Sequence, residues 1–215
     1  MDFSELKLNK LGIDRSKFGR IFSFIDYGNV NYWFRQDRKD KDEKDLQLNQ
    51  NLIIDIEKLA DFLNLFSSQK RFYYGFNNRK QQSWHLPIKA AKCGFIKITK
   101  PIQFIKHYLS EAELKEIEKP ELLNQDLGGK FVEIPKSNFD VEISVDAIRL
   151  IESYDTLFLM SGDSDFAVLV KHLKRKGKKV IIAASGKVFH SLREQADLYI
   201  NAQQIKAYIT SVKTY

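Results

Sequence analysis

Aspartates are the residues of this chain whose types and spacing could do chemistry. Asp26 ends the apolar run Arg20-Ile21-Phe22-Ser23-Phe24-Ile25, and Asp163 and Asp165 follow a second apolar run in Ser161-Gly162-Asp163-Ser164-Asp165-Phe166. Asp140 opens a helical pattern. Each has an ordinary explanation when taken alone: Asp140 and Asp163 as helix caps, Asp26 as turn chemistry. Two carboxylates two positions apart, directly after an apolar strand, are harder to explain that way. Clustered carboxylates repel, and a divalent cation is the least costly way to hold them together. Oxygen donors, with one cysteine (Cys93) and four histidines that show no ligand spacing, favour Mg²⁺ or Mn²⁺ over zinc. A cation held this way lowers the pKa of bound water and clamps a phosphodiester.

The elements that must position these residues follow from hydrophobic pattern. Short apolar runs at 20–25, 71–76, 95–98, 156–160, 179–184 and 198–200 predict strands. Helical spacing over Leu52–Leu63, Ser83–Lys92 (despite Pro87), Phe166–Lys176, on to Leu192, and on to Tyr208 predicts the helices between them. Val141, Val145, Ile148 and Ile151 share one helical face, and Phe131–Ile134 is a short extended run after Gly128-Gly129. Strands alternating with helices, several of them apolar on both faces, predict an α/β fold around a parallel sheet covered on each side. In such sheets ligands bind beyond the carboxyl ends of the strands, near a switch in strand order. Asp26, Asp163 and Asp165 would share that rim. Asp140 precedes a strand and need not lie there, although the crossing from Glu133 to Asp140 could bring it.

Residues 1–19 read as an N-terminal arm and 20–210 as one domain. A charged insertion at about 35–50 and a glutamate-rich excursion at about 101–130 interrupt it. Within Arg35–Asp45 five basic and five acidic side chains cancel, so the stretch reads as a solvated loop or a frayed helix and cannot by itself explain an anion-binding surface. The net charge of +7 over 215 residues is compatible with a polyanionic partner. A disulfide framework, a CxxC metal site, a GxxxxGK[ST] loop, a GxGxxG loop and a nucleophilic triad all lack their residues. No apolar run reaches the roughly 20 residues of a membrane span, and no signal peptide is recognisable, so a cytoplasmic location is expected.

Three segments then resemble one family in its order: Phe24-Ile25-Asp26-Tyr27-Gly28-Asn29; Lys136-Ser137-Asn138-Phe139-Asp140-Val141-Glu142 with Val145-Asp146; and Ser161-Gly162-Asp163-Ser164-Asp165-Phe166. They look like the signature segments of the NYN domain family, the LabA-like branch of the PIN-like nucleases. The resemblance implies a Rossmann-like, PIN-type three-layer fold with a mainly parallel central sheet. It also implies metal-dependent endonucleolytic hydrolysis of RNA that leaves a 5′-phosphate. Carried over by residue, Asp26, Asp140, Asp163 and Asp165 match the acidic catalytic and metal site, and Asn29 its accompanying amide. Lys136 matches a basic position, and Asp146 is either a ligand or a support on the helix face. Ser161 and Ser164 are turn hydroxyls first and phosphate or ligand contacts second. The charged 35–45 stretch and the long 101–130 segment depart from the family pattern and could cover or redirect the substrate groove.

For nucleic-acid contact, Tyr32, Trp33 and Arg35 form a wall after the first motif. Arg71, Arg79 and Lys80 flank a strand near its carboxyl end, beside aromatics suited to single strands. Lys187 and Arg193 lie after a strand and at a helix start. The densest basic run, Lys171 to Lys179, reads as a solvated helix end pointing away from the rim. The expected function is a Mg²⁺- or Mn²⁺-dependent ribonuclease. The alternatives are a non-catalytic RNA-binding module on the same fold and a metal-dependent phosphatase. The expected partner is nucleic acid, RNA in the first place, with no membrane. A homodimer suits the fold, though no stripe in the sequence demands one.

Overall fold

In a computed structural model that describes residues 3–116, 120–186 and 190–215, helices α1 (Phe3–Lys10) and α2 (Arg15–Phe18) lead into strand β1 (Ile21–Asp26) and the single turn α3 (Tyr27–Val30). After the charged loop come β2 (Gln50–Ile54), α4 (Ile56–Asn64), β3 (Ser67–Phe76), α5 (His85–Lys92) and β4 (Ile96–Pro101). The middle of the chain forms β5 (Gln103–Tyr108), α6 (Glu111–Lys115), β6 (Asn124–Asp126) and β7 (Gly129–Lys136). The last third forms α7 (Asp140–Arg149), β8 (Thr156–Met160), α8 (Ala167–Arg175), β9 (Lys179–Ala184), α9 (His190–Gln195), β10 (Leu198–Asn201), α10 (Lys206–Ile209) and β11 (Thr210–Thr214).

Six strands make one sheet in the order β10-β9-β8-β1-β3-β4, every pair parallel. Side chains alternate across it with the period of two that a strand imposes. Ile21 and Ile25 of β1 enter one core with Phe158, Met160, Ile181 and Ala183. Phe22 and Phe24 enter the other with Leu157, Leu159, Val180 and Ile182. Helices α4, α5 and α10 close the first core through Leu59, Leu63, Ala90 and Ile209. Helices α7, α8 and α9 close the second through Ile143, Ala147, Leu169, Leu173 and Leu192. Burial on both faces explains why these strands read as continuous apolar runs. The result is the three-layer α/β fold with a parallel central sheet. From β1 the chain moves to β3 and β4 on one side, while β8, β9 and β10 lie on the other, so strand order switches between β1 and β8.

The structure departs from the sequence reading where a distant partner decides the conformation. Leu52 and Ile53 fit a helical spacing but lie in β2, which pairs antiparallel with β11, Leu52 opposite Val212. The helix starts only after Asp55, whose carboxylate accepts hydrogen bonds from the Glu57 and Lys58 N–H groups. The 101–130 excursion is largely an antiparallel sheet ordered β5-β7-β6, and among its described residues α6 and a short 3-10 turn at Pro120–Leu122 are helical. On α7, Val141, Val145 and Ile148 face solvent, and the buried face carries Ile143, Asp146 and Ala147. Leu8, Leu11, Ile13 and Phe18 of the N-terminal segment are buried in the first core. Among the described residues no helix is long and apolar enough to cross a membrane.

Candidate functional site

Strands β1 and β8 run side by side with Ile25 opposite Met160, so Asp26 and Ser161 emerge together at their carboxyl ends. The Ser161 hydroxyl is fully buried and donates to Asp26 Oδ2 at 3.0 Å. Ser161 Oγ also accepts from the Asp163 N–H at 3.3 Å. Asp163 in turn caps the turn Ser164–Phe166, its Oδ1 accepting from the Asp165 N–H at 3.0 Å. On the β1 side, the Asn29 N–H donates to Asp26 Oδ1 at 3.4 Å. Asn29 Oδ1 accepts from the Trp33 indole Nε1 at 2.9 Å and from the Gly162 N–H at 3.3 Å. One hydrogen-bonded chain therefore links the two loops at the point where strand order switches.

Asp140 reaches this rim by a crossing that begins in β7. Residues Ser137–Phe139 pass over the end of β3, and a Cβ on Gly75 would lie 2.6 Å from Ser137 Cβ. Glycine at 75 is what lets the crossing lie so close. Gly28 faces the same segment, with its Cβ position 3.8 Å from the Ser137 carbonyl oxygen. The Asn138 side-chain oxygen accepts from the Asp140 N–H at 2.8 Å and fixes the start of α7.

Asp140, Asp163 and Asp165 each bring a carboxylate oxygen within 4.8 Å of the others. Burial pushes the Asp26 carboxyl up to about 6; the Ser161 and Asn29 hydrogen bonds oppose the rise, and the charges of Asp140 and Asp163 add to it. Burial also raises Asp140, where Asp163 and Asp165 act in the same sense, against Asn138 and Lys100. Four carboxylates, two of them held above their ordinary range, with oxygen donors alone, fit a hard divalent cation.

A pH dependence of stability follows. Asp26 binds its proton more tightly folded than unfolded, so in EDTA the fold loses stability as pH rises from about 4 through about 6. At 1.36 kcal/mol per pH unit this amounts to roughly 2–3 kcal/mol. Asp26→Asn is therefore expected to be more stable than the parent above pH 6, with the difference vanishing below about pH 4. Thermal melts across pH in EDTA read this directly, and a variant less stable than the parent at pH 8 would contradict it.

The remaining sequence-singled residues fall into distinct positions. Asp146 lies six residues along α7 from Asp140 and is buried; its Oδ2 accepts from Arg71 Nη2 at 2.6 Å and the Tyr73 hydroxyl at 3.0 Å, its Oδ1 from Arg149 at 2.8 Å. Arg71 is accordingly buried under α7 and not displayed near the strand end. Trp33 is not a wall of the site: it packs in the first core and touches the site only through Asn29. Tyr32 is exposed, with the Arg35 guanidinium 4.3 Å above its ring. Arg79 is engaged by Glu133 and lies 4.0 Å over the Phe104 ring, tying the small antiparallel sheet to the end of β3. Lys80 and Lys136 are exposed, and Ser164 is half-buried in its turn. Arg193 covers the Tyr199 ring at 4.9 Å, and Lys187 lies outside the described residues. In the Lys171–Lys179 run, Lys174 pairs with Asp197 and Lys178 donates to the Tyr154 carbonyl, at the amino ends of the strands.

One cation near the cluster was not singled out. Lys100, next to last in β4, lies 4.6 Å over the Phe139 ring and 2.5 Å from Glu142 Oε1, and its charge acts on Asp140. The rule that ligands gather beyond the carboxyl ends of parallel strands applies to lysines as well as to aspartates, and would have found it.

Comparison with known proteins adds three findings. The family model of the NYN domain matches residues 20–205. A stretch of 75 residues, 34% of the chain, is 32% identical to the low amplitude and bright protein LabA of Synechococcus elongatus, and covers 40% of that protein. The crystal structure of a protein of unknown function from Vibrio parahaemolyticus superimposes with a TM-score of 0.57 at 20% identity, over 86% of this chain and 93% of the other. At that identity the likeness is one of fold.

Proposed function

The chain belongs to the NYN domain family, and from that premise we propose that it is a metal-dependent nuclease hydrolysing phosphodiesters of single-stranded or structured RNA. The meeting of the Asp140, Asp163 and Asp165 carboxylates within 4.8 Å of one another, with Asp26 close enough to feel the charges of Asp140 and Asp163, carries the reading. Asp140, Asp163 and Asp165 would hold a Mg²⁺ or Mn²⁺ ion, with Asp26 closing the acidic wall behind them. When bound, such an ion neutralises the cluster, lowers the pKa of a water and stabilises charge on the transferred phosphoryl group.

The protein's own residues set the geometry. Ser161 ties the Asp26 carboxylate to the Asp163 backbone, and the Asp165 N–H holds the Asp163 carboxylate by its Oδ1. Two donors converge on Asn29 Oδ1, which turns its Nδ2 hydrogens away from Trp33 and Gly162 and leaves them for a carboxylate or phosphate oxygen. Lys100 supplies positive charge beside Asp140, and the exposed Lys80, Lys136 and Arg35 offer cations to the strand. Water attacking in line with the leaving 3′-oxygen gives a 5′-phosphate.

Incubating the pure protein with labelled single-stranded RNA, single-stranded DNA and duplexes, in Mn²⁺ or EDTA, tests the proposal. Cleavage of RNA in Mn²⁺ and none in EDTA is expected. Persistence in EDTA would overturn the metal site, and binding without cleavage of any substrate would leave an RNA-binding module. Trp33→Phe keeps the buried ring but deletes the donor that orients Asn29. It is expected to lower kcat about tenfold or more with RNA binding unchanged, the scale of losing a partner that orients a ligand. An unchanged kcat would show that Asn29 needs no such fixing.

A further inference from the structure

A second concave feature lies on the opposite side of α3 from the aspartates. At 3.6 residues per turn, Asp26 and Asn29 occupy one side of this helical turn and Tyr27 and Asn31 the other. Tyr27 and Asn31 open into a cleft of about 530 Å³, with Arg35 beyond them and Asn51, Lys213 and Tyr215 across it on the β2–β11 ribbon. An α-helix is only about 10–12 Å across with its side chains, so the cleft and the acidic cluster are neighbours.

The lining is unusual in what it leaves unpaired. No aspartate or glutamate side chain is among its residues. Arg35 and Lys213 make no ion pair among the described residues; each only covers a ring, Tyr32 at 4.3 Å and Tyr215 at 4.7 Å. Elsewhere Lys100, Lys106, Lys174 and Lys206 are each matched to an acid. Tyr27 packs by its ring against Phe72 and Tyr74, and its hydroxyl has no hydrogen bond among the described residues. The Asn31 and Asn51 amides likewise have no side-chain partner among the described residues. Two free cations, two free amides and an exposed aromatic ring in one cleft match a group that is anionic, planar and rich in acceptors.

We propose that this cleft is a nucleotide subsite. It takes one nucleotide of a single strand whose nearby phosphodiester lies at the aspartate cluster. The phosphate sits between Arg35 and Lys213, the base lies against Tyr215, and Asn31 and Asn51 bond its edge. The inference rests on the nuclease reading and names where the substrate strand continues. A free nucleoside monophosphate carries the same chemistry, and the test separates the two sources.

Binding of a short labelled single-stranded RNA is measured by fluorescence anisotropy in EDTA over a salt titration. The same measurement is made for Arg35→Ala/Lys213→Ala and for Tyr215→Ala, with AMP as a competitor. All three side chains are exposed, so the variants fold. The double variant is expected to flatten the salt dependence by about 0.7, the slope for one lost single-strand phosphate contact. Tyr215→Ala is expected to weaken binding about tenfold. A thiouridine-substituted strand should crosslink to a peptide of the cleft. Unchanged strand binding in both variants overturns the subsite, and if the parent still cleaves in Mn²⁺ the nuclease reading stands. AMP binding that is lost in the variants while strand binding is not would overturn it in favour of a free mononucleotide site. A parent that neither binds nor cleaves any strand overturns both readings.

Discussion

Asp163→Asn is expected to reduce RNA cleavage at saturating Mn²⁺ by roughly 100-fold or more while leaving the fold and RNA binding intact. Residues that merely orient a metal ligand contribute about 10–100-fold, so loss of a charged member of the cluster should reach at least the upper end. The substitution is also mild. The new amide keeps a side-chain oxygen in place of the one that accepts from the Asp165 N–H, so the cap on the Ser164–Phe166 turn survives. The link from the Asp163 N–H to Ser161 uses backbone and is untouched. Removing one negative charge from the rim proposed to receive phosphate should, if anything, tighten RNA binding in EDTA. The loss therefore falls on kcat and not on the dissociation constant, a split that single-turnover cleavage and anisotropy resolve. Cleavage within a few-fold of the parent would sink the assignment of this carboxylate. A second substitution, Asp165→Asn, should add far less than its own single effect, because the cluster acts as a unit.

How much of this was legible in the sequence depended on whether a residue's position follows from its own strand. Asp26, Asp163 and Asp165 were, since β1 and β8 are buried on both faces and read as apolar runs, and the carboxyl-end rule places whatever follows them. Asp140 was legible only through the family motif and not from its own strand: its place depends on how Ser137–Phe139 crosses β3, and that rests on a missing Cβ at Gly75, which no local pattern reveals. Trp33 and Arg79 were read as substrate contacts because aromatic and basic residues near a motif suggest them. Tertiary packing gives Trp33 to the core, while Arg79 is engaged by Glu133 and still stands exposed. Leu52 and Ile53 satisfied a helical period by coincidence, and only the β11 strand, far along the chain, makes them a strand. Lys100 and the pairing of Arg35 with Lys213 across one cleft escaped because their members lie on separate elements, and Lys100 and Lys213 look, one at a time, like ordinary surface charge.

Asp146→Ala is expected to cost about 3–5 kcal/mol of stability, the usual penalty when one partner of a buried ion pair is removed. Arg71 and Asp146 are each under 10% exposed, and the Arg71 guanidinium donates to Asp146 Oδ2 at 2.6 Å and through Nε to the Tyr73 hydroxyl at 3.2 Å. Without Asp146 that guanidinium stays beneath α7 with no counter-charge, and the Tyr73 hydroxyl loses its acceptor. For a chain of this length the melting temperature should fall by about 10 °C, at roughly 2–4 °C per kcal/mol. The network also holds α7 against β3, and Asp140 is the first residue of that helix, so a loosened α7 carries a carboxylate of the acidic cluster with it. Stability and activity would then fall together, which a metal-ligand role for Asp146 would also produce in the single variant. The double variant Arg71→Met/Asp146→Leu separates the two. Replacing a buried pair by apolar side chains of similar volume is often neutral or stabilising, so packing and melting temperature should largely return. If Asp146 acts as a support, cleavage returns with them. A stable double variant that cannot cleave would instead make Asp146 a member of the catalytic cluster, reached by a rearrangement of α7 away from Arg71.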